Sequence, residues 1–370
     1  MINIVIKIPV KETISQALKR LRLSNGLKMK EVEAQTGIDQ ALLSKFEKAV
    51  RIPSDVQIEA LALCYKADFK YLKALNLAER IYQLLADEAM AEEAWHLAEP
   101  RIQYLTRANA KNTVQLPQST LEGLTALGKL RAEWLSLPGL ESTRLQKLEE
   151  YFAVQYTYES NKIEGNSLSL GETMMVVKEG LTIGGKSLHE HLEAINHFEA
   201  ILLLGDWVKG STPFNESLLL QLHGLILRGI DRANAGRYRN VEVRITGSDH
   251  MPPQPYLVPK MMEDYFLFYQ KQADSLHPVI LAAEMHERLV SIHPFIDGNG
   301  RTARLVMNLI LMSHGYPLVI LKGDLSSRQQ YYKALELVQL HGETAPFHEL
   351  VIERLQVSLK EHIDLSKPGV

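Results

Sequence analysis

Residues 293–304 read HPFIDGNGRTAR, and they lie between two stretches that have the apolar spacing of helices. Before them, Pro278 to Ile292 has a proline in the first turn and apolar residues at helical intervals. After them, Arg301 to Ser313 is apolar nearly all round and is followed by Gly315 and Pro317, which are helix stop signals. Because a helix of that kind is buried, the stretch predicts two helices joined by a tight loop at the centre of a domain.

The loop carries groups that bind phosphate. Gly298 and Gly300 flank Asn299, which permits a backbone turn that aims several N–H groups at one point. The start of the second helix adds a positive potential at the same place. Arg301 and Arg304 are three positions apart, so they share a face of the first turn and can donate charged hydrogen bonds to phosphate oxygens. The loop is therefore suited to an oligophosphate.

Two further side chains of the stretch suit nucleotide chemistry. Asp297 supplies the hard oxygen ligand that a Mg²⁺ ion bridging phosphates needs. His293 has an ordinary pKa near neutrality, so it can take a proton from an attacking hydroxyl. A histidine at a helix end, or a Gly-Asn-Gly turn, is usually structural when it occurs alone. Their combination with an aspartate and two arginines in one short stretch indicates a functional site.

The stretch resembles the signature of the Fic (filamentation induced by cAMP) family, HPFx[D/E]GNGRxxR, and matches every fixed position. The resemblance implies an all-helical core that transfers AMP from ATP to a protein hydroxyl. It makes His293 the general base and Asp297 the Mg²⁺ ligand, and it places the α- and β-phosphates on Gly298 to Gly300. Arg304 would reach the γ-phosphate, with Arg301 assisting at the phosphates.

A second motif precedes the signature. Residues 160–166 read SNKIEGN, which by composition alone is a helix end with a glycine stop. In Fic proteins the pattern [S/T]xxxE[G/N] marks an inhibitory helix, and Ser160, Glu164 and Gly165 fit it. The resemblance implies that Glu164 pairs with Arg304. A carboxylate there would occupy donors that ATP needs and place negative charge beside the triphosphate.

The region from Gly236 to Gly247 alternates between apolar and polar residues, reaches a Gly-Ser-Asp turn, and is closed by prolines, a pattern that predicts a β-hairpin. In Fic proteins a hairpin at this place is a flap over the target's hydroxyl-bearing segment. Strand addition would hold the target backbone with little side-chain preference. The candidate docking residues are Val243, Arg244, Ile245, Thr246 and Gly247.

Tyr332 matches part of a Tyr-Tyr pair found near the nucleotide in relatives.

The N-terminal region has the compact helix spacing of a helix-turn-helix. Residues 26–54 read GLKMKEVEAQTGIDQALLSKFEKAVRIPS and resemble the Cro/repressor-type domain over about residues 11–70. Asp39 would begin the recognition helix and repel phosphate, which predicts modest affinity for DNA. A helical interaction module that no longer binds DNA is the alternative. The residues expected to face a major groove are Gln40, Ala41, Ser44 and Lys45.

Composition sets the remaining expectations. The chain has 370 residues, one cysteine (Cys64) and a formal net charge of −3, which suit a cytoplasmic protein without a disulfide scaffold. Residues 1–75 carry 13 Lys and Arg against 8 Asp and Glu, so a nucleic-acid partner belongs to that part. No membrane segment is expected. Residues 2–8 alternate and predict a short strand, and Leu75 to Glu99 predicts a connecting helix.

The predicted fold class is mainly α, with a Fic all-helical core, a β-hairpin flap and a small N-terminal helix-turn-helix domain. The expected domains are residues 1–75 (helix-turn-helix), 76–117 (connecting helix and loop) and 118–370 (Fic domain with its inhibitory helix). The expected cofactors are ATP, as substrate, and Mg²⁺. The expected partners are a target protein with a Ser, Thr or Tyr hydroxyl, this chain itself included, and DNA; a homo-oligomer stays open.

Two local patterns also suggest other functions. Residues 180–187 read GLTIGGKS, a literal P-loop pattern, but a capping box at Ser169 and Glu172 starts a helix where a P-loop needs a strand. His286-Glu287 begins a zinc-protease pattern that fails at Val290. Two functional alternatives to AMP transfer stay open. One is a DNA-binding regulator whose Fic domain only senses nucleotide, and the other is removal of AMP from a modified protein.

Overall fold

The computed structural model describes residues 12–110, 114, 116–137 and 143–366, and in those residues it contains helices, turns and loops but no β-strand. The chain divides into two compact units, residues 1–103 and 104–370. The mainly helical fold predicted from the sequence is confirmed.

In the described part of the first unit, the core is formed by five helices: α1 (Ile14–Ser24), α2 (Met29–Thr36), α3 (Gln40–Glu47), α4 (Asp55–Cys64) and α5 (Phe69–Leu85). Their ends follow local chemistry, since Thr13 and Ser54 form capping boxes and Gly37 ends α2 with φ +71°. Buried apolar side chains of all five helices, Leu18, Val32 and Phe46 among them, form a core of their own. The short turn between α2 and α3 is the one predicted for a helix-turn-helix.

The connecting segment differs from the prediction of one helix over residues 75–99. Helix α5 ends at Leu85, and α6 (Ala91–Ala110) begins after a turn and continues through part of the predicted boundary loop. An acidic, alanine-rich pattern does not specify where a helix breaks, because alanine and glutamate favour helix throughout and supply no stop signal. The predicted strand at residues 2–8 lies outside the described residues.

The second unit is a bundle around α13 (Pro278–Ile292) and α14 (Asn299–Ser313), the two helices predicted from the signature. Nearly every residue of both is buried. The helices around them are α7 (Gln118–Ser136), α8 (Thr143–Ile163), α9 (Leu170–Glu179), α10 (Leu188–Lys209), α11 (Glu216–Ile226), α12 (Val258–Gln272), α15 (Leu325–Glu336) and α16 (Ala345–Ser366). The signature loop therefore lies inside a helical shell.

The predicted β-hairpin is wrong. The described residues from Arg237 to Gln254 form turns and extended chain without a strand ladder. The physical reason is that a side chain takes hydrogen bonds that a neighbouring strand would otherwise make. The Arg239 guanidinium donates to the carbonyl oxygens of Val241 (3.0 Å) and Pro253 (2.5 Å). Pro252 and Pro253 also lack the N–H groups that a ladder requires. Residues 237–254 are called the strap below.

The P-loop alternative is excluded by local structure. Gly180 ends α9 with φ +66°, and Ser187 is the N-cap of α10 in a capping box. No strand precedes this segment in the part of the chain that is described. Of the helices described, none is both long and apolar enough to span a membrane.

Candidate functional site

The signature loop is braced from within. His293 ends α13 in the left-handed region with φ +51°, and Gly298 precedes α14 with φ +78°. Between them the Asn299 side chain accepts the Phe295 N–H at 3.0 Å and donates to the Phe295 carbonyl at 2.9 Å. The side chain predicted to bind ATP thus closes the loop, which fixes the direction of the N–H groups at the start of α14.

His223, which no sequence motif indicated, packs against the signature loop. His223 stacks on Phe295 with ring centroids 3.6 Å apart. Its Nδ1 accepts the Gly236 N–H at 3.0 Å, so its Nε2 carries the proton and donates to the Asp297 carbonyl at 2.9 Å. Burial lowers the pKa of His223 to about 4, which keeps the ring neutral. No local pattern indicates this role, because His223 and Asp297 are far apart in the sequence.

His293 is held by its main chain, and its ring is partly buried. Its N–H donates to Leu289 (2.9 Å), and its carbonyl accepts from Arg239 Nε (2.8 Å). Burial lowers the pKa of the His293 imidazole to about 4, and the positive charge of Arg239 and the proximity of His250 act in the same direction. The ring is therefore neutral near pH 7 and able to accept a proton.

Asp297 and Arg301 form an ion pair within the loop. The Asp297 carboxylate is 55% exposed and caps the Gly298 N–H at 2.6 Å, and Arg301 Nη2 approaches both of its oxygens at 3.2 and 3.3 Å. Arg301 is buried, and its Nη1 donates to Glu193 at the shorter distance of 2.7 Å. Arg301, predicted to assist at the phosphates, is thus enclosed by two carboxylates.

Arg304 is fully buried and meets the predicted inhibitory motif. Its Nε donates to the Ser160 hydroxyl (2.9 Å), and its Nη2 donates to the Ser160 carbonyl (3.0 Å) and to Glu164 Oε1 (2.6 Å). Burial alone would lower the pKa of Arg304, but the Glu164 charge raises it above its ordinary value. The Ser160 hydroxyl also bonds His197 Nε2 at 2.9 Å.

The Glu164 carboxylate lies directly over the signature loop. A Cβ built on Gly300 would be 2.5 Å from Glu164 Oε1, closer than real Cβ atoms approach anything. Gly165 follows with φ +101°, a conformation that favours glycine and turns the chain away from the site. Glu164 therefore occupies space next to both Gly300 and Arg304.

The other predicted residues lie nearby or on the strap. Tyr332 is 47% exposed and donates to the Ile163 carbonyl at 3.3 Å, next to the inhibitory motif. Of the five candidate docking residues on the strap, Arg244, Thr246 and Gly247 are exposed, whereas Val243 and Ile245 are half-buried.

The donor set for a metal is small. Among the described residues no group of three or more histidine, cysteine or carboxylate side chains could hold an ion. Asp297 is nevertheless an exposed carboxylate beside the predicted phosphate loop. Mg²⁺ commonly binds one or two carboxylates together with substrate phosphates and several waters, so this single ligand fits Mg²⁺ delivered with a nucleotide.

The predicted DNA-contact residues lie on α3. Asp39 caps this helix by accepting the Leu42 N–H at 2.9 Å, and the Gln40 side chain donates to Glu33 at 2.6 Å. Ala41 and Lys45 are exposed. The remaining candidate, Ser44, is half-buried.

Comparison with known proteins supports both halves of this description. Residues 213–311 match the Fic/DOC family, and residues 18–72 match a helix-turn-helix family. A protein adenylyltransferase Fic of Nematostella vectensis is 35% identical over 273 residues, covering 72% of this chain and 62% of that protein. The protein adenylyltransferase fic-1 of Caenorhabditis elegans is 34% identical over 247 residues, which is 66% of this chain and 47% of the relative. The chain therefore spans only part of the length of these curated relatives.

Solved structures agree with the fold. A Fic-domain signalling protein of Bacteroides thetaiotaomicron superposes with a TM-score of 0.62 at 28% identity, covering 66% of this chain and 99% of that one. Fic-1 (residues 134 to 508) of C. elegans superposes with a TM-score of 0.60 at 26% identity, covering 96% of this chain and 98% of that one.

Proposed function

We propose that this chain, whose residues 213–311 match the Fic/DOC family and whose residues 18–72 match a helix-turn-helix family, is a protein adenylyltransferase. It would transfer AMP from ATP to a Ser, Thr or Tyr hydroxyl of a target protein. The observation that carries the proposal is the arrangement of a neutral His293, an exposed Asp297 and a buried Arg304 around one braced loop. The 35% identity to a protein adenylyltransferase supports it.

The proposed reaction is an in-line displacement at the α-phosphorus. The target hydroxyl oxygen forms a bond to this phosphorus as the bond to the bridging oxygen of the β-phosphate breaks, and pyrophosphate leaves. His293 takes the hydroxyl proton. Its Nδ1 is buried, so Nε2 is the nitrogen that would receive the proton.

Charge on the phosphates would be stabilised by groups that are already fixed. The N–H groups at the start of α14 are oriented by the Asn299 brace, which costs no reorganisation during the reaction. Arg304 would donate to the γ-phosphate once its present partner has left. Mg²⁺, held by Asp297, would neutralise phosphate oxygens when bound.

The site as described would be closed to ATP. Glu164 takes one donor of Arg304 at 2.6 Å and places its carboxylate against Gly300, where a phosphate would lie. Two anions cannot share this position without strong repulsion. We therefore propose that Glu164 inhibits its own chain, as the motif predicts.

Three proteins test the proposal: wild type, Glu164→Gly, and Glu164→Gly combined with His293→Ala. Each is incubated with ATP labelled at the α-phosphate, Mg²⁺ and cell extract, and labelled proteins, self included, are identified. We expect strong labelling only with Glu164→Gly. Label that persists without His293 would remove it as the base, and absence of label from all three would favour nucleotide sensing. Adding labelled, pre-modified target to the same proteins distinguishes transfer from removal of AMP.

The strap is the proposed docking site for the target. In the candidate segment, Val243 to Ile245 form irregular chain, whereas Thr246 and Gly247 form a turn; in the described structure none of the five residues pairs with a strand of its own chain. A target segment could therefore pair with its backbone groups.

A second proposed activity belongs to the N-terminal unit. Its match to a helix-turn-helix family and the exposed Lys45 on α3 favour DNA binding. DNA binding by residues 11–70 would direct where the transferase acts.

A further inference from the structure

The two arginines of the signature have different carboxylate partners. Arg304 contacts Glu164, which belongs to the inhibitory motif, whereas Arg301 contacts Glu193, a residue of α10 that belongs to no motif considered above. The Glu193 side chain is only 11% exposed, and its Oε1 lies 2.7 Å from Arg301 Nη1. This buried carboxylate pairs with the arginine next to the proposed metal ligand, so it can influence how that ligand binds metal.

Arg301 forms ion pairs with two carboxylates, those of Glu193 and Asp297. Its contact with Glu193 is short, while its contacts with Asp297 are long at 3.2 and 3.3 Å. Because Arg301 is buried, its charge needs a carboxylate partner nearby. Glu193 supplies that partner, which leaves the Asp297 carboxylate weakly held and 55% exposed.

Glu193 is itself fixed from the other side. The Asn166 amide donates to Glu193 Oε2 at 2.9 Å and to the Glu190 carbonyl at 3.1 Å. The Asn166 side-chain oxygen accepts the Leu168 N–H at 3.0 Å. His189, on the same helix, lies 3.5 Å from Glu193 Oε1 and is largely exposed. Both oxygens of Glu193 therefore have defined partners.

We infer that Glu193 is a positioning residue that draws Arg301 into a short contact with itself, so that Asp297 keeps only the longer contacts with Arg301 and stays available to bind Mg²⁺ with the nucleotide. The inference rests on the proposed nucleotide site, but it concerns metal affinity rather than catalysis. Without the Glu193 charge, the buried Arg301 guanidinium pairs more strongly with Asp297. Mg²⁺ must then compete with this guanidinium for the Asp297 carboxylate.

The test compares nucleotide affinity with and without metal. All proteins carry Glu164→Gly so that nucleotide can enter, and binding of ATP is measured by calorimetry once in Mg²⁺ and once in EDTA. The ratio of the two affinities isolates the contribution of the metal and requires no AMP transfer. We expect Glu193→Gln to lower this ratio roughly tenfold, the lower end of the effect of groups that orient a metal ligand. The affinity in EDTA should change little.

Two further proteins guard against a purely structural effect. Glu199→Gln removes a carboxylate of the same helix that pairs with Arg228 at the surface, and it should leave the ratio unchanged. In a background that also carries Arg301→Gln, Glu193→Gln should have no effect on the ratio, because the competing guanidinium is gone. An unchanged ratio in Glu193→Gln, or an equal loss in the Arg301→Gln background, overturns the inference. Either result leaves the transferase proposal standing.

Discussion

The Glu164 carboxylate and the Arg304 guanidinium lie 2.6 Å apart, and they join the end of α8 to the second turn of α14. Arg304 is 1% exposed and also contacts Ser160 through two atoms. One short segment thus fixes the orientation of Arg304, and the proposed phosphate-binding loop and the proposed inhibitory motif share this one charged group.

The first prediction concerns release of this contact. Glu164→Gly frees Arg304 Nη2 and the space over Gly300, so we expect AMP incorporation to rise about 10- to 100-fold, the usual scale of coupling between two ligands of one site. Initial rates with labelled ATP measure it. Glu150→Gln, which removes an exposed carboxylate of the same helix from its Lys178 partner, is the control and should match wild type. Equal rates for Glu164→Gly and wild type would contradict autoinhibition.

The second prediction concerns stability. Without Glu164 the Arg304 charge has lost its carboxylate, so Glu164→Gly should lower the free energy of unfolding by about 1–2 kcal/mol; the 31% exposure of Glu164 keeps the loss below that of a fully buried pair. ATP should restore the loss by supplying phosphate oxygens. Thermal unfolding with and without ATP measures both effects. A rise in unfolding temperature with ATP that is no larger than in wild type argues against phosphate replacing Glu164.

The third prediction uses the glycine beneath Glu164. A Cβ at Gly300 would be 2.5 Å from Glu164 Oε1, so Gly300→Ala should push Glu164 off Arg304. In the Glu164→Gly background the 2.5 Å neighbour is gone, and Arg304 Nη1, at 3.0 Å, is the nearest side-chain atom to the added Cβ. We expect the two substitutions to be non-additive in unfolding free energy by about 1 kcal/mol, as measured in a double-mutant cycle. Strict additivity would mean that Glu164 does not occupy this position in solution.

The fourth prediction concerns pH. Burial lowers the pKa of His293 to about 4, so the base stays unprotonated at every pH above about 5. An ordinary histidine with a pKa of about 6.5 would lose roughly tenfold in its neutral fraction by pH 5.5. We expect kcat/KM of the Glu164→Gly protein to stay nearly constant from pH 7.5 to pH 5.5, measured at saturating Mg²⁺. A tenfold fall over that range would show that His293 titrates normally.

The fifth prediction concerns the strap. Arg239 donates to the His293 carbonyl as well as to Val241 and Pro253, so one side chain holds the strap against the proposed base. Lysine cannot reach three separate carbonyls with a planar fork. Arg239→Lys should therefore lower stability by about 2 kcal/mol and transfer by at least about tenfold. The exposed neighbour Arg237, changed to lysine, is the control. Full activity of Arg239→Lys would separate the strap from catalysis.

Much of the site could be predicted from the sequence because its parts are local. The ends of α13 and α14 follow from proline, glycine and apolar spacing within a few residues, and the helix-turn-helix follows from the compact spacing of its short helices. The strap was predicted wrongly for a related reason. Alternation of apolar and polar residues describes an extended chain, but it does not say whether another strand or a buried arginine will take its hydrogen bonds.

The sequence by itself determined the signature loop, the helices around it and the inhibitory motif, since each depends on residues that are neighbours along the chain. Only the tertiary structure decided that Asn299 braces the loop instead of facing a ligand, that His223 supports Asp297, and that Glu193 takes the charge of Arg301. The physical reason is that a buried charge or ring nitrogen takes whichever partner packing brings to it. For Arg301 and Glu193 that partner is more than a hundred residues away along the chain.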